Sequence, residues 1–177
     1  MTYHRLAQIR CAHLNINHAI NKLTDIASVL FSSGMNLYIL GLSESRLSSH
    51  ISDTDISMPG YNIVRMDPKQ QRKRGLVIYI QDTLTFKRLH HLEHVVETVW
   101  INRVKLKKGV TTSTWFRLQK SSRTCWLDGY FISMMEAVCL GSQEIILLGD
   151  FNIDLFEPNK SWLQMLENYH LYSFHHL

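Results

Sequence analysis

The spacing of hydrophobic residues changes early in the chain from a strand-like period to a helical one. Residues 11–17 alternate between apolar and polar, as expected of a strand with one face more buried than the other. The more buried face is expected to hold Ala12, Leu14 and Ile16. From Ile20 to Leu30 the apolar positions recur at helical spacing, and Gly34 stands where a helix C-cap is expected. A strand followed by a helix is therefore predicted.

The next hydrophobic segments predict a sheet. Residues 37–42 form a nearly continuous apolar run, which is typical of a strand covered on both faces. Residues 61–64, 76–80 and 95–106 are rich in β-branched and aromatic residues, and the turn dipeptide Pro59-Gly60 precedes the first of them. The chain thus opens with a predicted β-α-β unit and continues as sheet.

Helical and strand-like periods alternate again in the last part of the chain. Residues 131–138 have helical spacing, and residues 144–148 form an apolar run that predicts a buried strand. Pro158 suits the first turn of a helix, and residues 162–169 place apolar side chains on one face. The fold class predicted is mixed α/β, a sandwich of sheets flanked by helices.

Composition and charge narrow the class of protein. The chain has 177 residues, of which 45% are hydrophobic and 19% charged, so we expect a single globular domain over 1–177. No run is apolar enough to span a bilayer, and residues 1–10 lack the core of a secretory signal. We therefore expect an intracellular protein, nuclear or cytoplasmic, with no membrane partner and no small-molecule cofactor. No particular oligomeric state is predicted.

The cysteines and the basic residues add little specificity. The three cysteines, at 11, 125 and 139, form no paired motif, which favours free thiols over a disulfide or zinc site. The net charge is +4, and basic residues cluster at 69–74 and 105–108. Such clusters suit phosphate contacts, although solvated loops explain them equally well.

Polar residues stand where the predicted buried strands end. Asn15, Glu44, Asp150 and Asn152 each follow or close an apolar run. Strand ends that meet at one edge of a sheet are natural places for a site, and Mg²⁺ takes oxygen ligands such as a Glu carboxylate. The amides could orient a phosphate or a water, and Asp150 could accept a proton. Taken singly, each residue is more typical of a turn, a helix cap or a solvated rim.

Four segments together resemble a known superfamily. They read LNIN at 14–17, LSESRL at 42–47, GY at 60–61 followed by basic residues and RGLVIY at 74–79, and LGDFN at 148–152. Their order and spacing resemble the endonuclease/exonuclease/phosphatase superfamily, and in particular the amino-terminal endonuclease of non-long-terminal-repeat (LINE-type) retrotransposons. The resemblance extends over most of the chain.

This resemblance implies a four-layered α/β sandwich and a nuclease that cuts DNA with Mg²⁺ or Mn²⁺. It implies that Glu44 and Asn15 lie at the metal and that Asn15 and Asn152 contact the phosphate. It also implies that Asp150 activates or orients the attacking water. Lys73 and Arg74 are expected to bind the substrate through its phosphates.

The chain departs from the family pattern in its middle. Residues 107–125 are divergent: where the family has a strand and a Tyr-Arg-x-Pro-like segment, residues 111–124 are polar and basic and contain no tyrosine. One choice of synonymous codons for this stretch, read one base later, restores a segment of the family type. A compensated frameshift is therefore one hypothesis for this region.

A second departure lies at the end of the chain. The closing Ser-Asp-His motif of the family is absent, so we expect the domain to be incomplete at its C-terminus and catalysis to be impaired. Three hypotheses remain open: an impaired DNA endonuclease of retrotransposon origin, an inactive remnant that at most binds nucleic acid, and a phosphatase of the same superfamily.

Overall fold

The structure is a computed structural model that describes residues 10–67, 74–93, 99–106, 109–111, 133, 135–136, 146–149, 156–158 and 160–168. The strands and the two longer helices described are β1 (Cys11–Asn15), α1 (Leu23–Ser32), β2 (Ile39–Ser43), β3 (Tyr61–Met66), β4 (Leu76–Gln81), β5 (Thr85–Arg88), β6 (Ile101–Leu106), β7 (Gly109–Thr111) and α2 (Lys160–Asn168). Short 3-10 helices occupy Thr54–Ile56 and His90–Leu92. Ser133, Met135 and Glu136 are also helical.

The described strands form two sheets. The first has the order β1-β2-β4-β3, in which β1 and β2 are parallel and the other pairs antiparallel. The second has the order β5-β6-β7 and is antiparallel. The predicted β-α-β unit is therefore present as β1, α1 and β2.

Strand β4 separates two hydrophobic clusters, because successive side chains of a strand point to opposite faces. Val77 and Tyr79 pack in a first cluster with Leu23 of α1. Leu76, Ile78 and Ile80 pack in a second cluster with residues of the second sheet, including Ile101 and Phe86. The core thus has a helix layer, a sheet and a second sheet. The predicted mixed α/β fold is confirmed, whereas the four-layer arrangement stays a prediction.

Helix α1 ends as its sequence predicts. Gly34 has φ +62°, and its N–H donates to Phe31 O (3.3 Å), while Met35 N–H donates to Leu30 O (3.2 Å). These two bonds form a Schellman cap, which needs a residue with positive φ and therefore favours glycine. The start of the helix differs from the predicted pattern, because Ile20 precedes α1 in a turn and is 45% exposed.

Three strand predictions need correction. Leu14 is 45% exposed, because β1 is an edge strand and pairs only with β2 among the described strands. Residues 146–148 are not a strand within the described chain, although Ile146 and Leu148 pack against the second cluster. No described strand bonds to them, and a strand requires such a neighbour. Of the strand predicted over 95–106, residues 94–98 lie outside the described residues, residues 99 and 100 are not strand, and the strand begins at Ile101.

The chain divides into two compact units. One comprises Met1–Gln119 with Glu144–Asp150, and the other Lys120–Gln143 with Phe151–Leu177. The first unit contains both sheets and α1. The second contains α2, in which Trp162 and Met165 are buried as the helical spacing predicts. A single domain over 1–177 stays a prediction. Within the described residues, no helix is both long and apolar enough to cross a membrane.

We predict that Gly34→Ala lowers the free energy of unfolding by about 1 kcal/mol, because an L residue is strained at positive φ. A methyl group there meets no described heavy atom within 4 Å, so the effect is one of backbone conformation alone. Gly41→Ala is the matched control: its φ is not positive, and the added carbon lies 3.8 Å from His13 Cδ2, an ordinary contact. Urea unfolding of both variants measures the difference. Equal stabilities would contradict the prediction.

Candidate active site

Glu44 follows the last residue of β2 and has an unusual backbone conformation. Its φ is +58°, which a non-glycine residue rarely adopts. Ser43 pairs with Leu76 of β4, but the N–H of Ser45 then donates to Gly75 O (3.2 Å) and that of Arg46 to Arg74 O (2.8 Å). The register between the segment that follows β2 and the segment that precedes β4 has therefore moved by one residue. Glu44 is therefore the extra residue of a bulge.

The bulge changes the direction of the Glu44 side chain. Along β2, Leu40 and Leu42 belong to the first cluster, so strict alternation would place Glu44 on the same face. Asn15 alternates instead with Cys11, which packs against the second cluster. The left-handed turn allows Glu44 to meet Asn15 despite this difference. Bulges are often found beside active sites for this reason.

Asn15 and Arg74 both contact the same oxygen of the Glu44 carboxylate. Asn15 Nδ2 donates to Glu44 Oε1 (3.0 Å), and Arg74 Nη1 forms an ion pair with the same oxygen (2.5 Å). The Glu44 side chain is only 10% exposed, while that of Arg74 is 36% exposed. A carboxylate with so little access to water needs such polar partners.

The loops around Glu44 are joined by backbone hydrogen bonds. Beyond the end of β1, the N–H groups of Ile16, His18 and Ala19 donate to the carbonyl groups of Ser43, Glu44 and Ser45, at 2.9, 2.9 and 2.8 Å. Together with the two bonds to residues 74 and 75, these contacts connect three segments: 15–19, 43–46 and 74–75. The site is therefore built by the main chain, and its side chains project from a fixed frame.

Positive φ values are concentrated in this frame. Among the described non-glycine residues, the positive φ values are those of Asn17 (41°), His18 (89°), Glu44 (58°) and Arg46 (51°). Such conformations cost on the order of 1–3 kcal/mol each and persist only where surrounding contacts enforce them. They occur preferentially at functional sites. Their concentration here marks the ends of β1 and β2 as the candidate active site.

Other groups beside the site have structural roles. His13 Nε2 lies 3.1 Å from Ser43 Oγ, and Ser43 is fully buried. Lys22 Nζ donates to the carbonyl of Ile16 (2.6 Å), which supports the loop after β1. At the opposite end of β1 from the site, burial raises the pKa of the Cys11 thiol to about 12, so the thiol is neutral at physiological pH and is a poor nucleophile.

The structure describes some of the predicted site residues and not others. The structure brings Asn15, Glu44 and Arg74 together, and the roles predicted for them stay predictions. Lys73, Asp150 and Asn152 lie outside the described residues. The bulge at Glu44 and its pairing with Arg74 were not predicted from the sequence. Among the residues with positive φ, Asn17 alone has a residue type that suggests this conformation, because asparagine is enriched at positive φ.

The donor set of the described site suits a hard cation with few protein ligands. Glu44 offers a carboxylate and Asn15 an amide oxygen, and Mg²⁺ commonly uses one or two carboxylates with water and substrate phosphate. The described part of the chain contains no group of three or more His, Cys, Asp or Glu residues able to hold a metal ion. The oxygen donors of Glu44 and Asn15 fit a Mg²⁺ or Mn²⁺ ion that takes its other ligands from water and substrate.

A separate cavity of about 290 Å³ lies at the opposite ends of the strands. It is lined by the C-terminal part of α1 and by residues that include Tyr61 and Gln81, at the start of β3 and the end of β4. Phe31 and Met35 beside it are 61% and 47% exposed. The cavity is distant from Glu44, which follows the other end of β2.

Comparison with solved structures identifies similar folds. An endonuclease/exonuclease/phosphatase family protein from Bacteroides thetaiotaomicron has a TM-score of 0.55 at 12% identity, covering 89% of this chain and 67% of that one. The catalytic domain of Xenopus laevis APE2 has a TM-score of 0.56 at 15% identity, covering 89% and 63%. The 3′ phosphatase NExo from Neisseria, bound to a product DNA hairpin, has a TM-score of 0.56 at 17% identity, covering 92% and 71%.

These identities are low, so the comparisons establish the fold alone. The chain has a mixed α/β fold similar to that of endonuclease/exonuclease/phosphatase proteins, and it spans about two thirds of the length of these chains. No family model matches the sequence, and no curated protein matches it. The likeness to LINE-type endonucleases stays a prediction from the sequence motifs.

We predict that Arg46→Gly raises the free energy of unfolding by about 1 kcal/mol relative to Arg46→Ala. The Arg46 side chain is exposed, and the backbone N–H of this residue donates to Arg74 O. Both substitutions remove the side chain, but only glycine removes the β-carbon that is strained at φ +51°. Chemical denaturation compares them. If the alanine variant is as stable as the glycine variant, the frame is not strained at this position.

Proposed function

We propose that this chain is a divalent-metal-dependent phosphodiesterase that cuts DNA, of non-long-terminal-repeat retrotransposon origin, with impaired activity. The observation that carries the proposal is the Glu44 carboxylate, which is nearly buried and held by Asn15 and Arg74 where the parallel strands β1 and β2 end. The fold, similar to that of proteins that include DNA-processing enzymes, supports it.

A purely structural role for Glu44 is a weaker explanation. Nearly buried carboxylates are uncommon, and a residue with positive φ is normally glycine or asparagine when only a turn is needed. Here a charged residue occupies a strained position and is surrounded by polar partners. Combinations of strain and buried charge are typical of sites under functional constraint.

In the proposed mechanism, Glu44 and Asn15 would hold Mg²⁺ or Mn²⁺. Because Asn15 Nδ2 donates to Glu44, the amide oxygen is the Asn15 atom that could serve as a ligand. When bound, such a cation supplies Lewis-acid stabilisation of the charge that develops on the phosphate. Asn15 thereby links the carboxylate to the substrate-binding side of the site.

The remaining proposed roles come from the sequence motifs. Asp150 accepts a proton from the attacking water, or orients that water toward phosphorus. Asn152 donates a hydrogen bond to a phosphate oxygen. Lys73 and Arg74 contribute positive charge toward the backbone phosphates of DNA, an attraction that weakens as the salt concentration rises. An intracellular location, nuclear or cytoplasmic, follows as a further proposal from a DNA substrate.

One sequence observation favours a second candidate, an inactive remnant that binds nucleic acid. Residues 111–124 contain no tyrosine where the resemblance leads us to expect a tyrosine-bearing segment. In this case the basic cluster at 69–74 binds DNA through its phosphates, and the binding is sensitive to salt but independent of metal.

A third candidate is a phosphatase of the same fold. The similarity to the Neisseria 3′ phosphatase NExo favours it specifically, because that protein is a phosphatase bound to a product DNA hairpin. The same cation and phosphate contacts serve phosphodiester and phosphomonoester hydrolysis equally well. The two activities are separated by the substrate that is cleaved.

We predict slow nicking of supercoiled plasmid in Mg²⁺ or Mn²⁺ that disappears with EDTA and falls at least about 10²-fold in Glu44→Gln. Asp25→Asn is a matched control, because Asp25 is exposed in the first turn of α1. It should nick as the unmodified chain does. Release of inorganic phosphate from a 3′-phosphorylated DNA hairpin, without nicking, would instead support the phosphatase. Metal-independent, salt-sensitive DNA binding without either activity would support the remnant.

A further inference from the structure

The Glu44 carboxylate has a cationic partner from its own chain. Arg74 Nη1 and Asn15 Nδ2 both donate to Glu44 Oε1, at 2.5 and 3.0 Å. A cation that bound this oxygen would meet a guanidinium group already in contact with it. The proposed metal and Arg74 would therefore compete for the same atom, Glu44 Oε1.

The main chain holds Arg74 beside this oxygen. Arg74 O accepts the N–H of Arg46 at 2.8 Å, and Gly75 O accepts that of Ser45 at 3.2 Å, directly after the left-handed turn at Glu44. These bonds do not involve the Arg74 side chain, so they remain when that side chain is replaced. The backbone of the bulge thus fixes the position of residue 74, whereas a substitution at this residue changes only the side chain and its charge.

Burial makes the charge of Arg74 important for Glu44. The Glu44 side chain is 10% exposed, and water screens charges poorly at such a position. Without a counter-ion, a nearly buried carboxylate is unfavourable. With Arg74 in contact, a divalent cation is repelled by a like charge a few ångströms away, unless the guanidinium moves. The 36% exposure of Arg74 leaves one side of it in contact with solvent and gives it room to move.

We propose that Arg74 is a built-in counter-ion that competes with a divalent cation for the Glu44 carboxylate and so weakens metal binding in the absence of substrate. This inference rests on the proposed function, because it requires a metal at Glu44. Arg74 stabilises the metal-free site and must leave Glu44 Oε1 when the cation arrives. Once displaced, its planar group is available to a substrate phosphate, which it can bind through two parallel hydrogen bonds.

Direct measurement of Mn²⁺ binding to the full chain tests this proposal without relying on catalysis. The electron paramagnetic resonance signal of free Mn²⁺ gives the dissociation constant, with no DNA present. Arg74→Met should bind Mn²⁺ about tenfold more tightly than the unmodified chain, because a like charge next to the ligand is removed. Arg74→Lys should lie between the two, because lysine keeps the charge as a hydrated point charge and lacks the planar donors.

Two further variants serve as controls. Arg46→Met removes an exposed arginine from the segment whose backbone is bonded to Arg74, and it should leave the dissociation constant within about twofold. Glu44→Gln should abolish Mn²⁺ binding at this site. Thermal unfolding followed by circular dichroism verifies that each variant is folded, and Mn²⁺ should raise the melting temperature of Arg74→Met more than that of the unmodified chain. If Arg74→Met does not fold, Arg74→Lys alone still decides the matter.

The outcomes separate this inference from the proposed function. Suppose that Mn²⁺ binding needs Glu44 but is no tighter in Arg74→Met and Arg74→Lys than in the unmodified chain. This result would overturn the counter-ion proposal and leave the proposed metal site intact. Mn²⁺ binding that is absent, or that is unchanged in Glu44→Gln, would overturn both. Tightening in Arg46→Met equal to that in Arg74→Met would also overturn the counter-ion, because the effect would then be one of general charge.

Discussion

The left-handed backbone turn at Glu44 is the constraint on which the candidate site depends. A regular continuation of β2 would direct this side chain toward the first hydrophobic cluster, where a carboxylate has no place. The one-residue bulge instead brings it to Asn15 and Arg74. The turn is enforced by the loop after β1 on one side and by the residues before β4 on the other, through backbone bonds that do not depend on side-chain identity. The two clusters on either face of the first sheet fix β2 itself.

Much of the fold could be predicted because it follows from periodic burial. The helix after the change of period, the glycine that caps α1 and the apolar run of β2 each have a local physical cause, and each is present in the structure, although α1 begins only at Leu23. Predictions failed where the cause was not local. Leu14 has the pattern of a buried residue but lies on an edge strand, and 146–148 has the composition of a strand but no described partner. Edge position and strand pairing depend on distant parts of the chain.

In the candidate site, too, the features with a local cause could be predicted, and those that depend on distant parts of the chain could not. The positions of Asn15 and Glu44 at strand ends could be inferred from where apolar runs stop, and parallel pairing of β1 and β2 brings them together. The bulge could not be inferred, because Glu44 lacks the sequence signature of a positive-φ residue. Nor could the contact between Glu44 and Arg74, which needs the register of β2 against β4. That contact gives Arg74 a role in the site beyond the phosphate binding expected from its charge.

A crystal structure of the protein grown with Mn²⁺, with the metal located by its anomalous scattering, tests the proposed metal site most directly. We expect a single strong peak roughly 2.1 Å from a Glu44 carboxylate oxygen and beside the Asn15 amide oxygen, with Arg74 withdrawn from Glu44. A structure in which Mn²⁺ is bound elsewhere, or in which Glu44 stays paired with Arg74 at saturating Mn²⁺, would contradict it.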